Sequence, residues 1–111
     1  MTSRLFRAVE QFTSVNPEVN ATAILIFLFV AQRGTTTQKD IEVALGLNNA
    51  TASRGVSWWC DVKRYGQRGA GFLEREEDPR DRRYRLVRLT EDGKAFYLRL
   101  RAIEGREEAL P

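Results

Sequence analysis

The run Asn48-Asn49-Ala50-Thr51-Ala52-Ser53-Arg54 gathers small and hydrogen-bonding side chains and ends in a guanidinium. Such a group presents a rigid fork of donors that fits guanine O6 and N7, and small neighbours let a helix approach a base edge closely. Downstream, Asp78-Pro79-Arg80-Asp81-Arg82-Arg83 sets three further guanidinium groups about a turn-forming Asp-Pro pair. Cations on an exposed tip suit phosphates or a narrow minor groove. Catalytic chemistry is poorly served: there is no histidine and one cysteine, Cys60, which removes zinc-ligand sets, His-based acid-base catalysis and an internal disulfide. No enzyme activity, cofactor or metal is expected.

The charge pattern agrees. A net +3 over 111 residues divides unevenly: residues 1–50 balance at 4 against 4, residues 51–90 hold 10 basic and 6 acidic side chains, and residues 91–111 hold 4 and 5. The positive field lies where the two clusters lie, as in a nucleic-acid binder. The plainer reading is a solvated hairpin surface. The length gives one domain, 1–111, with a modest core. No signal-peptide pattern opens it, and with a single thiol the expected compartment is a reducing cytoplasm.

The elements that would hold these side chains follow from periodicity and capping. Leu5, Phe6, Val9 and Phe12 recur at helical spacing, so an N-terminal helix is expected within 1–16, stopping before Asn16-Pro17. Its stripe must cover either the core or a second subunit. Residues 21–31 are apolar on every side, which marks a buried helix opened by Asn20; at 11 residues the run is about half of what a bilayer needs. No membrane association is expected. Thr35, Thr36 and Thr37 offer caps for a helix over 38–46, where Ile41, Ala44 and Leu45 turn inward. The free amides of Thr37, Gln38 and Lys39 could hold a phosphate. Gly46 makes the turn, Leu47 plugs the core, and Asn48 caps the next helix.

That next helix should bury Ala52, Val56, Trp59 and the stem of Lys63, leaving Asn49, Ala50, Ser53, Arg54, Ser57 and Asp61 outside, with Asp61 too far along to reach DNA. Of Trp58 and Trp59, one belongs to the core and the other to a lateral position, with base stacking the minor alternative. Cys60 reads as a packing residue, since nothing nearby clearly lowers its pKa. Residues 61–71 read as the helix end and a flexible loop whose Lys63, Arg64 and Arg68 suit a DNA backbone; the P-loop spacing is absent. Strands are expected over 72–77 and 84–89 about a six-residue connection. Glu74 and Glu76 would face Arg83, Arg85 and Arg88 across the pair. Thr90 caps a last helix over 91–108, apolar on more than one side, with its end after Glu104 expected to fray.

Taken together, QKDIEVALGLNNATASR and GFLEREEDPRDRRYRLVRLTEDGKAF resemble the winged-helix domain of the MarR-type bacterial transcription regulators. The wing of that family reads D-x-R-D-x-R, then a strand, then L-T-x-x-G, matched here by Asp78, Arg80, Asp81, Arg83, Leu89, Thr90 and Gly93. The resemblance covers about residues 19–96. It implies an α+β, mostly helical fold: a winged helix-turn-helix over 35–90 with a two-stranded hairpin wing, flanked by N- and C-terminal helices. It implies that the helix from Asn49 reads the major groove, with Asn49, Thr51, Ser53 and Arg54 at base- or phosphate-facing positions. Arg80 becomes the minor-groove arginine, and Asp81 and Arg83 shape the wing. Members are usually homodimers on near-palindromic operators, joined here through the terminal helices, and many release DNA when a small aromatic or an oxidant acts; an effector for this chain stays open. Between Arg54 and Phe72 the chain is several residues longer than the usual spacing. The expected function is therefore a sequence-specific, repressor-like regulator of double-stranded DNA. The alternative is a winged-helix module that docks a polymerase or replication factor.

Overall fold

Each of the five helices among the described residues opens on a side chain that accepts from a free amide of its first turn. Ser3 takes Phe6 N for α1 (Arg4–Val15), Asn20 takes Ala23 N for α2 (Ala21–Arg33), and Thr37 takes Asp40 N for α3 (Gln38–Leu45). Asn48 takes Thr51 N for α4 (Asn49–Trp59), and Thr90 takes Gly93 N for α5 (Glu91–Glu108). This computed structural model describes residues 3–60, 63–64, 67–68 and 70–108; at 63–64, 67–68, 82–83 and 106–108 the description is of backbone alone. Asn20, Asn48 and Thr90 are the caps expected from sequence, and of the three threonines offered for α3 it is Thr37 that serves.

Between α3 and α4 the chain turns on Gly46, whose φ of 66° and ψ of 37° lie in the left-handed region that a side chain would strain. The amides of Gly46 and Leu47 both reach the Glu42 carbonyl, so the last turn of α3 is closed before α4 begins. Leu47 packs against the core, as expected.

An aromatic cluster joins the elements. Phe12 of α1, Phe27 of α2, Trp59 of α4, Phe72 and Phe96 of α5 meet at ring separations of 4.8 to 6.2 Å. Such pairs contribute about 0.5–1.5 kcal/mol each beyond area burial. Trp59 is wholly buried, and its Nε1–H donates to the Ala23 carbonyl at 2.8 Å, so its polar edge is satisfied inside the core. Ala52 and Val56 are buried beside it, the inner face that helical period predicts.

Four expectations need correction. Thr35–Thr37 is not only a source of caps but a strand, β1, which pairs antiparallel with the later strand β5 (Asp81–Leu89). The β-branched side chains suit a pleat, and the pairing partner lies far along the chain where no local pattern reveals it. Second, α4 stops at Trp59, and Cys60 is already extended, so helical phase no longer carries Lys63 inward. Within 61–71 lies a short antiparallel pair, β2 (Lys63–Arg64) with β3 (Gln67–Arg68), in place of a plain loop. Residues 61–62, 65–66 and 69, Asp61 among them, lie outside the described residues.

Third, the wing is tighter than expected. Its strands are β4 (Leu73–Asp78) and β5, so only Pro79 and Arg80 remain as the connection and Arg82 and Arg83 sit in strand. The Asp78 carboxylate accepts from Arg80 N at 2.9 Å, and Pro79 fixes one dihedral, which together reverse the chain in two residues. Fourth, Ala44 is exposed, so of the α3 residues expected to turn inward only Ile41 is buried and Leu45 half-buried; the last helix, α5, ends at Glu108. Arg and Glu are good helix formers, and they carry the helix across Gly105. The sheet runs β1-β5-β4, three strands where two were expected.

Candidate nucleic-acid interface

With Ala52, Val56 and Trp59 buried, a turn of about 100° per residue leaves Ala50 and Arg54 furthest from the core. Both are exposed, as is Asn49 at the helix entry. The Asn49 side-chain amide donates to Glu42 at 3.1 Å, which ties the start of α4 back to α3. Thr51 is half-buried, and its amide is spent on the Asn48 cap. Thr37 is likewise engaged as a cap.

Three residues expected to face a ligand are arranged around something else. Arg75 of β4 reaches into the angle between α3 and α4. Its Nη2 donates to Ser57 Oγ at 2.8 Å, and its Nη1 approaches Gln38 Oε1 at 3.1 Å, Ser53 Oγ at 3.3 Å and the Ser53 carbonyl at 3.4 Å. Gln38 is only 6% exposed. Gln38, Ser53 and Ser57 are thus joined through Arg75 into one polar node between the wing and the two helices. No role for Arg75 is expected from the sequence. A signal was present: it shares strand parity with the buried Leu73, so a charge points toward the core side.

The other arginines of the wing behave differently. Arg80 sits at the tip with 91% of its side chain exposed, 3.7 Å from the Asp78 carboxylate, which is 15% exposed. Arg88 faces the opposite side of the sheet, where its Nε donates to Glu74 at 2.7 Å and its Nη1 to Glu76 at 2.6 Å. Those bonds raise the Arg88 pKa further and, with its nearby charge, hold the Glu76 carboxyl below its ordinary value. The expected facing of Glu74 and Glu76 by Arg88 is present, and Arg85 stands across from Glu77. The side chains of Lys63, Arg64, Arg68, Arg82 and Arg83 lie outside the described residues, and with them the expected pairing of Asp81 with Arg83.

The wing is seated on α5 by Leu89-Thr90-Glu91-Asp92-Gly93. Thr90 N donates to the Phe72 carbonyl at 3.0 Å, and Thr90 Oγ1 donates to the Gly71 carbonyl at 2.6 Å while accepting from Gly93 N. A Cβ at Gly93 would be driven into the Phe72 carbonyl, so only glycine lets the helix start this close to the strand. The Thr and Gly of that motif thus have a local physical cause.

Cys60 is buried, and desolvation by that burial pushes its thiol pKa up, partly opposed by Arg75 and reinforced by Glu74. Among the described residues no three of Cys, Asp and Glu assemble into a group that could hold a metal ion. None of the described helices is long and apolar enough to cross a membrane.

No family model matches the sequence, and no curated protein matches it either. Solved structures do match by shape. A mutant of MarR from E. coli, complexed with operator DNA, superposes over 84% of this chain at TM-score 0.64 and 19% identity. The PcaV transcriptional regulator from Streptomyces coelicolor matches over 85% at TM-score 0.64 and 24% identity, covering 63% of its own chain. NadR in complex with 4-hydroxyphenylacetate matches over 96% at TM-score 0.70 and 16% identity, covering 70% of its own chain. The present chain spans 61% of the length of that MarR chain. The fold is that of the MarR-type winged-helix regulators.

Proposed function

We propose that the chain is a sequence-specific double-stranded DNA-binding transcription regulator, repressor-like, cytoplasmic, and built as one winged-helix domain. The observation that carries this reading is the joint placement of an exposed Arg54 on a helix with small outer residues and an exposed Arg80 on the tip of a wing tied to that same helix by Arg75. The operator complex of the matched MarR structure supports it. In this reading α4 enters the major groove with Asn49, Ala50 and Arg54 toward the bases, and Arg80 reaches the minor groove or the backbone. Lys63, Arg64, Arg68, Arg82 and Arg83 supply phosphate contacts.

A homodimer through the terminal helices belongs to the same proposal. Leu5, Phe6 and Val9 of α1 are exposed, Leu5 at 75%, and Leu98 of α5 is 67% exposed. α1 packs on α5, so this apolar surface spans both termini. A second copy would cover it.

Selection of bound fragments from a random duplex pool tests the reading, and a recovered site with two-fold symmetry would report the dimer through its half-site spacing. On the selected duplex, Arg54→Ala should relax preference at one base pair, at a cost of about 1–3 kcal/mol. Arg80→Ala should weaken all sequences alike and reduce the salt slope by about one. A pool that yields no enriched duplex would end the proposal.

A further inference from the structure

We infer that Arg75 is a positioning residue: it sets the angle of the wing against the reading helix and withdraws Gln38, Ser53 and Ser57 from the DNA face. The inference rests on the DNA-binding reading above. Beyond Arg75 the strand leaves the body of the molecule, since Glu76 and Glu77 of β4 and Tyr84 and Arg85 of β5 are exposed. Arg75 is therefore the outermost residue of β4 with a contact to the helices named here, and Arg80 lies five residues further on. At about 3.3 Å per residue the strand from Arg75 ends roughly 10 Å out at Asp78 before the chain reverses, enough for a small tilt at the pivot to displace the tip.

The side chain is suited to the task. One planar fork addresses oxygens on two different helices at once, Gln38 at the start of α3, and Ser53 in the middle and Ser57 in the last turn of α4. Lysine carries the same charge but would have to reach these acceptors from a single nitrogen. Because Arg75 bonds inward, its effect on DNA is exerted through Arg80, and that makes the two residues energetically coupled. A residue that only stabilised the fold would leave the effect of Arg80→Ala unchanged in protein that remained folded.

The test is a double-mutant cycle on the full chain with the selected duplex, in fluorescence anisotropy over a salt series. Arg80→Ala should weaken binding by about tenfold in the wild-type background and by less than about twofold beside Arg75→Met, with the double variant sharing the reduced salt slope of Arg80→Ala. Arg75→Lys should behave like Arg75→Met. Equal effects of Arg80→Ala in both backgrounds, or wild-type behaviour of Arg75→Lys, would overturn the inference. If Arg75→Met does not fold, Ser57→Ala replaces it, removing the shortest of the bonds without stranding a charge; additivity of Ser57→Ala with Arg80→Ala is then the overturning result. A wild-type chain that binds no duplex would instead sink the DNA reading beneath it, so the two failures are distinct.

Discussion

The two faces of the three-stranded sheet handle an arginine in opposite ways. Strand register sets Thr36, Val87 and Arg75 in one row across β1, β5 and β4, and sets Thr35, Arg88 and Glu74 in the next. The first row faces the helices: Thr36 and Val87 are buried, and Arg75 is half-buried among neutral oxygens of α3 and α4. The second faces water, and there Arg88 is held by two carboxylates. Inside, directional hydrogen bonds fix where elements sit; outside, ion pairs compete with solvent and salt and fix little. The difference teaches that the basic surplus of residues 51–90 is not one patch. Arg75 is spent on architecture, Arg88 on its acidic neighbours, and Arg54 and Arg80 remain exposed.

Substitution on each face measures this contrast. Arg75→Met should destabilise the protein most, by about 2 kcal/mol in urea unfolding, because it removes charge-assisted bonds and leaves the buried Gln38 amide short of a donor. A loss no larger than that of Arg88→Ala would erase the distinction between the faces. Arg88→Ala should cost less, and its cost should shrink as salt is added. It should also change the acid limb of the stability profile. Glu76 has a lowered pKa in the folded protein, so its contribution is complete at neutral pH, above the ordinary carboxylate range, and fades as pH falls through the folded value. Wild type and Arg88→Ala should therefore differ at pH 7 and converge in acid, once the pH has fallen below the lowered folded value of Glu76. Thermal melts that stay equally far apart at both pH values would contradict this.

The smallest effect is expected at Thr36, whose hydroxyl is buried and meets no hydrogen-bond partner among the described residues. Replacing it by valine keeps the shape and removes the unsatisfied group, so stability should hold or rise by up to about 1 kcal/mol. A clear loss in Thr36→Val would mean that the hydroxyl has an acceptor or a bound water.

Local chemistry was readable from the sequence; long-range geometry was not. Asn20, Thr37, Asn48 and Thr90 announced their helices because capping depends on residues three positions apart, and Gly46 marked the turn for the same reason. The inner face of α4 followed from period alone. By contrast, Thr35–Thr37 becomes a strand only through pairing with residues 86–88, a partner that no window along the chain contains. The run Glu74-Arg75-Glu76-Glu77-Asp78 reads as uniform surface charge, so the inward turn of Arg75 is visible only once Leu73 is known to be buried. The wing turn is tighter than its polar run suggests because the Asp78 carboxylate reaches Arg80 N, a bond that the run of charges around it conceals. The site follows the same division: Arg54 and Arg80 stand exposed, while the bonds that Gln38, Ser53 and Ser57 share with Arg75 come from a strand far along the chain.

The adjacent indoles offer a built-in gauge for such experiments. Trp59, sealed in the core and stacked near Phe72, should emit toward the blue and resist collisional quenchers, whereas Trp58, half-buried at right angles to it, should emit further to the red and quench readily. Single-indole variants would then let one spectrum tell whether a change has loosened the interior or merely altered the surface around it.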